Sequence, residues 1–105
     1  MKEIYEKLVR DKIPEIIAAQ GDIPVIRVLE DAEYFGALNK KLQEEVTEYL
    51  EAFVTEEIAD VLEVIYAIIE FKGISLDELE QIRKKKADER GGFGKKICLV
   101  EVTRI

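Results

Sequence analysis

Residues 31–72 read DAEYFGALNKKLQEEVTEYLEAFVTEEIADVLEVIYAIIEFK, and the spacing of apolar residues in this stretch decides the fold. Phe35, Leu38, Leu42, Val46, Tyr49 and Phe53 recur every three or four positions, predicting a helix from about Asp31 to Val54. Thr55 is a candidate cap for a second helix running to about Lys72, with Gly73 placed to end it. Two long helices joined by so short a connection must lie side by side and antiparallel. On the second, Ile58, Val61, Leu62, Val64, Ile65, Ile68 and Ile69 cover an arc of roughly 160°, where a surface helix needs about 100°. The surplus suggests burial against another chain, and we expect a homo-oligomer.

Outward from this hairpin the elements are shorter. Asp11 is placed to cap a helix over about Lys12–Gln20, with Pro14 in its first turn and Gly21-Asp22 ending it. Pro24–Leu29 is short and β-branched, a strand by composition. Ser75-Leu-Asp-Glu78 is a capping box opening a helix over about Leu76–Glu89. The loop Gly91-Gly92-Phe93-Gly94 and a second strand-like run, Lys96–Thr103, complete the chain. In that run Cys98 alternates with Val100 and Val102, which suggests a buried, inert thiol. The expectation is a single domain over residues 1–105: a mostly α antiparallel helix bundle with a minor short β-ribbon, completed by oligomerisation.

Composition restricts the chemistry. The 105 residues are 48% hydrophobic and 37% charged, with 16 Lys and Arg against 23 Asp and Glu, a net charge of −7. Such a surface disfavours nucleic-acid backbones and anionic membranes as partners. No uncharged run exceeds six residues, too short for a membrane span or a signal-peptide core. A single cysteine makes no internal disulfide, so a cytoplasmic setting is expected. With no histidine, imidazole-based triads and zinc sites are excluded. Catalysis would fall to carboxylates, to basic side chains, and to whatever metal the carboxylates hold.

The acids fall into two sets. Glu56, Glu63 and Glu70 share one outer stripe suited to solvent, and Glu44 and Glu51 also point away from the apolar faces. Glu45 with Glu48, and Glu57 with Asp60, are pairs spaced i, i+3 that border the apolar stripes. An antiparallel hairpin brings both pairs to the same end, where like charges need a counter-charge. Mg²⁺ or Mn²⁺, hard and oxygen-seeking, meets that need. Lys40, Lys41 or a basic group from a partner chain would meet it equally.

Lys41-Leu-Gln-Glu44-Glu45-Val-Thr-Glu48 followed by Glu57-Ile-Ala-Asp60 resembles the Glu-Glu-x-x-Glu … Glu-x-x-Asp signature of the all-α nucleoside triphosphate pyrophosphohydrolases. That superfamily includes MazG-like proteins, dimeric dUTPases and phosphoribosyl-ATP pyrophosphohydrolase. Lys7-Leu-Val-Arg10-Asp11-Lys12-Ile-Pro14 and Lys86-Ala-Asp-Glu-Arg90-Gly91-Gly92-Phe93 are similar to blocks of a short MazG-like branch. The resemblance implies a Mg²⁺-dependent hydrolase that cuts nucleotides between the α and β phosphates, releasing a monophosphate and pyrophosphate. It implies Glu45, Glu48, Glu57 and Asp60 as metal ligands, with Glu44 holding a second ion or the attacking water. It also implies a dimer or tetramer.

Lys86 and Arg90, spaced i, i+4 before a glycine pair, are candidates for the β and γ phosphates; alternatively they complement the helix C-terminus. Arg10 and Lys12 reach substrate, or Arg10 pairs with a surface acid. Phe93 stacks on a base or, as we expect, anchors its loop. House-cleaning of normal or damaged triphosphates is the first substrate expectation and phosphoribosyl-ATP the alternative. A non-catalytic acidic helical module that binds a basic partner is the rival from another class.

Overall fold

A computed structural model describes all 105 residues. It contains four helices: α1 (Ile13–Ala19), α2 (Asp31–Ala52), α3 (Thr55–Lys72) and α4 (Leu76–Arg90). The chain forms two compact units, Met1–Gly73 and Ile74–Ile105.

In the first unit α2 and α3 pack along their lengths. Only Phe53 and Val54 connect them. Phe53 turns the chain in the left-handed region (φ 58°), and its N–H donates to the Tyr49 carbonyl at 2.7 Å. The antiparallel arrangement is read directly from the aromatic contacts. Phe35, near the start of α2, stacks on Phe71 at the end of α3 with centroids 5.3 Å apart, and Tyr34 meets the same ring edge-on. The apolar side chains shut from solvent are few: Leu38 (2% exposed), Val64 and Ile69. The broad apolar arc of α3 is therefore divided. Val64 and Ile69 face the seam, while Ile58, Leu62 and Tyr66, spaced i, i+4, i+8, remain on the surface.

The helix ends differ in detail from the sequence expectation. Thr55 is the first residue of α3 rather than its cap; Val54 takes the cap position and no side chain bonds there. Nor does Asp11 cap α1, where Lys12 stands at the cap position. Pro14 does fall in the first turn of α1, where its missing N–H is harmless. Gly73 ends α3 at φ 67°, which only a residue without a Cβ adopts at no steric cost.

In the second unit, α4 starts as its capping box predicts, with Ser75 Oγ accepting from the Glu78 N–H at 3.0 Å. No residue of α4 is fully buried.

The β-ribbon is absent. Neither Pro24–Leu29 nor Lys96–Thr103 forms a strand. β-branched composition favours extended backbone, but a strand is held by a ladder partner, and neither segment has one. Val25, Val28, Ile97 and Val100 are correspondingly exposed. Cys98 is exposed as well, contrary to the expectation of a buried thiol, because the sheet that would have covered it does not form. Phe93, 98% exposed, does not anchor its loop. No helix is long and apolar enough to cross a membrane.

Candidate functional site

The seam between α2 and α3 is apolar at one end and acidic at the other. At the acidic end Glu45, from the last third of α2, meets Glu57 and Asp60, from the first two turns of α3. One oxygen from each of the three carboxylates lies within 4.8 Å of the others. Glu45 is the deepest of them, only 7% exposed, and the others are half-buried. Periodicity accounts for this position, since Glu45 follows Leu38 by seven residues on the inward stripe. Its Oε2 and the Oε2 of Glu57 are both shut from solvent, and neither has a hydrogen-bond partner. An ionised oxygen in that state carries a desolvation cost of about 1–3 kcal/mol or more.

Three bases approach the group. Lys41 Nζ lies 3.1 Å from Glu45 Oε1 and 3.3 Å from Glu44 Oε1. Lys7, in the segment before α1, reaches the same Glu44 oxygen at 3.3 Å. The Arg10 guanidinium donates to Asp60 Oδ1 at 2.7 Å. Burial works against the charge on Lys41, but Glu45 and Glu44 together outweigh it, so its pKa rises. Burial also pushes Glu44 up; Lys41 and Lys7 overcome this and hold it below its usual value. Glu45 goes the other way. Burial raises it, and the adjoining Glu48 carboxyl adds to the rise, against the pull of Lys41.

Of the four acids singled out by spacing, the structure gathers Glu45, Glu57 and Asp60 into one group. Glu48 lies beside it, within hydrogen-bonding reach of Glu45, and borders an open depression with Glu44 and Lys40. Glu44 does not belong to the solvated face with Glu51, being half-buried and held by two lysines. The outer acids Glu56, Glu63 and Glu70 are exposed, as their stripe requires. Arg10 realises the pairing alternative, and the acid it pairs with belongs to the cluster itself. Lys12 is exposed at the start of α1. Lys41 was noted in the sequence only as one possible counter-charge, and Lys7 only as part of a motif. The i, i+4 spacing of Lys41 to Glu45 was the available indication for the first; no local pattern pointed to the second.

The second unit is described separately. Lys86 and Arg90 are both exposed on α4. Arg90 lines a recess of about 320 Å³ with Gly91, Gly92, Gly94, Lys95 and Ile97. Gly91 sits at φ 84°, a backbone conformation that glycine adopts without the strain a side chain would bring. Two cations beside exposed backbone can receive an anion.

A Mycolicibacterium smegmatis protein described as an uncharacterized protein is 62% identical to this chain over 42 residues, which span 40% of the chain and 43% of that protein. No family model and no solved structure matches the chain.

Proposed function

We propose that this chain is a MazG-like, Mg²⁺-dependent nucleotide pyrophosphohydrolase that cleaves triphosphates between the α and β phosphates. The observation that carries the reading is the pair of buried, unpartnered oxygens, Glu45 Oε2 and Glu57 Oε2, within a three-carboxylate group. Glu44, Glu45, Glu48, Glu57 and Asp60 present five carboxylates to three bases, Lys7, Arg10 and Lys41. The formal excess of two negative charges is what one divalent cation would balance. All the donors are carboxylate oxygens, the chemistry that Mg²⁺ and Mn²⁺ favour.

The residues fit such an ion: Glu45, Glu57 and Asp60 would hold it, with Glu48 adjoining. When bound, a divalent cation supplies water activation and offsets charge on the phosphoryl oxygens. The chain's own residues do the rest. Glu45, fixed by its depth in the seam and by Lys41 on Oε1, keeps Oε2 without a hydrogen-bond partner. Glu44 anchors Lys7 and Lys41, and so keeps two bases beside the acids. Within the second unit, Lys86 and Arg90 are proposed as phosphate contacts, their positive charge complementing an anion. The exposed Ile58, Leu62 and Tyr66 support assembly into a homo-oligomer through α3.

The test is product analysis with Mg²⁺ and a panel of nucleoside triphosphates, with Glu57→Gln alongside. Monophosphate and pyrophosphate from the native chain, lost in the variant, is the expected result. Release of inorganic phosphate instead would refute α–β cleavage. No turnover of any triphosphate or of phosphoribosyl-ATP, together with no thermal stabilisation by Mg²⁺, would favour the non-catalytic interaction module.

A further inference from the structure

The basic block before α1 enters the proposed chemistry only as balancing charge, yet it makes the longest-range ionic contacts in the first unit. Lys7 reaches Glu44 on α2 across 37 positions of sequence, and Arg10 reaches Asp60 on α3 across 50. The three-residue step from Lys7 to Arg10 spans at most about 10 Å of extended chain. That matches the usual separation of about 8–10 Å between the axes of packed helices. The segment therefore bridges the acidic end of the hairpin, with one base on each helix.

The bases also divide the oxygens in a regular way. Lys41 takes Glu45 Oε1 and leaves Oε2 without a partner. Arg10 takes Asp60 Oδ1, and both lysines share Glu44 Oε1. None of them meets the two buried oxygens that lack partners. A counter-charge that merely stood in for a cation would be expected on those oxygens.

We infer that Lys7 and Arg10 form a clamp that positions the acidic centre, with Arg10 the principal positioning residue because it fixes Asp60 against Glu45 and Glu57. The inference rests on the reading of that centre as a divalent-cation site. An outer partner of a ligating carboxylate restricts its rotation and so lowers the cost of ordering it when the ion binds.

The sign of the predicted effect separates this role from simple electrostatics. Arg10→Gln removes a positive charge next to a cation site, so by charge alone it should tighten divalent binding. As the loss of a positioning residue, it should weaken Mn²⁺ and Mg²⁺ binding about tenfold or more. The experiment is calorimetric titration of the full chain with MnCl₂, then MgCl₂, for the wild type, Arg10→Gln, Arg10→Lys and Lys2→Gln. Lys2 lies in the same segment and is exposed, so its substitution changes the net charge equally. The expected order is wild type and Lys2→Gln tightest, Arg10→Lys intermediate and Arg10→Gln weakest.

Binding by Arg10→Gln as tight as the wild type, or tighter, would overturn the clamp while leaving the metal site standing. No heat of binding from the wild type would remove the metal site itself, and the clamp with it. Circular dichroism and melting in chelator establish that each variant folds. Should Arg10→Gln fail to fold, Lys7→Gln tests the other end of the clamp with the same expected direction.

Discussion

Replacing Glu45 by Gln should stabilise the metal-free protein and remove its response to Mg²⁺. The side chain is 7% exposed, its Oε2 has no partner, and Glu57 Oε2 beside it is equally bare. Glutamine keeps the shape, drops the charge, and brings an amide donor within reach of the neighbouring carboxylates. Relieving one buried, unpartnered ionised oxygen is worth about 2 kcal/mol. Against this, the Lys41 contact at 3.1 Å keeps its charged donor but loses its charged acceptor, a loss of about 1 kcal/mol. Lys41 itself stays paired through Glu44. The net gain is about 1 kcal/mol, which for a chain of this length raises Tm by about 4 °C in chelator. For the wild type, Mg²⁺ at roughly tenfold its Kd adds about 1.4 kcal/mol, or about 6 °C. The variant should gain almost none of that. Differential scanning fluorimetry with EDTA and with a Mg²⁺ series measures both shifts. If Glu45→Gln melted below the wild type in EDTA and both proteins rose equally with Mg²⁺, the account of the buried oxygens would be wrong.

The same site predicts a pH dependence. Glu45 titrates above its ordinary value of 4.5 because it is buried, so the fold prefers its protonated form. That contribution to stability is present below 4.5 and lost as pH rises through the raised folded value. In EDTA the Tm advantage of Glu45→Gln should therefore shrink steadily as pH falls from 7 towards 4.5; an advantage that grew would contradict the sign. Leu38→Ala, at a site only 2% exposed on the seam, should cost about 2–5 kcal/mol in urea unfolding. Leu62→Glu on the exposed row of α3 should leave the helical content intact by circular dichroism and shift the sedimentation of the protein towards monomer.

Most of the helical frame was legible in the sequence because helices are specified locally. The 3.6-residue period of residues 31–72 gave α2 and α3 to within two residues, and Ser75 with Glu78 gave the start of α4. The same period separated the outer acids from Glu45, Glu57 and Asp60, and the two-residue connection put those three at one end of the hairpin. The strands were misjudged for the converse reason. Pro24–Leu29 and Lys96–Thr103 have the composition of strands, but strand formation depends on a partner that composition does not supply. Cys98 followed that error, since its burial was deduced from a sheet.

What only the tertiary structure decided is which charges meet. Helical angles already put Glu45 closer to the seam than Glu48, but only packing decided that the first is buried and the second left at the edge of the group. Glu44, directed outwards by the same angles, is drawn into the group by Lys7 and Lys41. Arg10 and Asp60 are 50 residues apart and no periodicity relates them. Their contact exists because the segment before α1 closes back over the hairpin, a choice made by the fold of the whole unit. By itself the sequence determined the helices, their facing sides and the acidic end of the seam. The fold determined which two oxygens stay bare and which base stands beside each acid, because Coulomb contacts depend on distances between segments and not on their order in the chain.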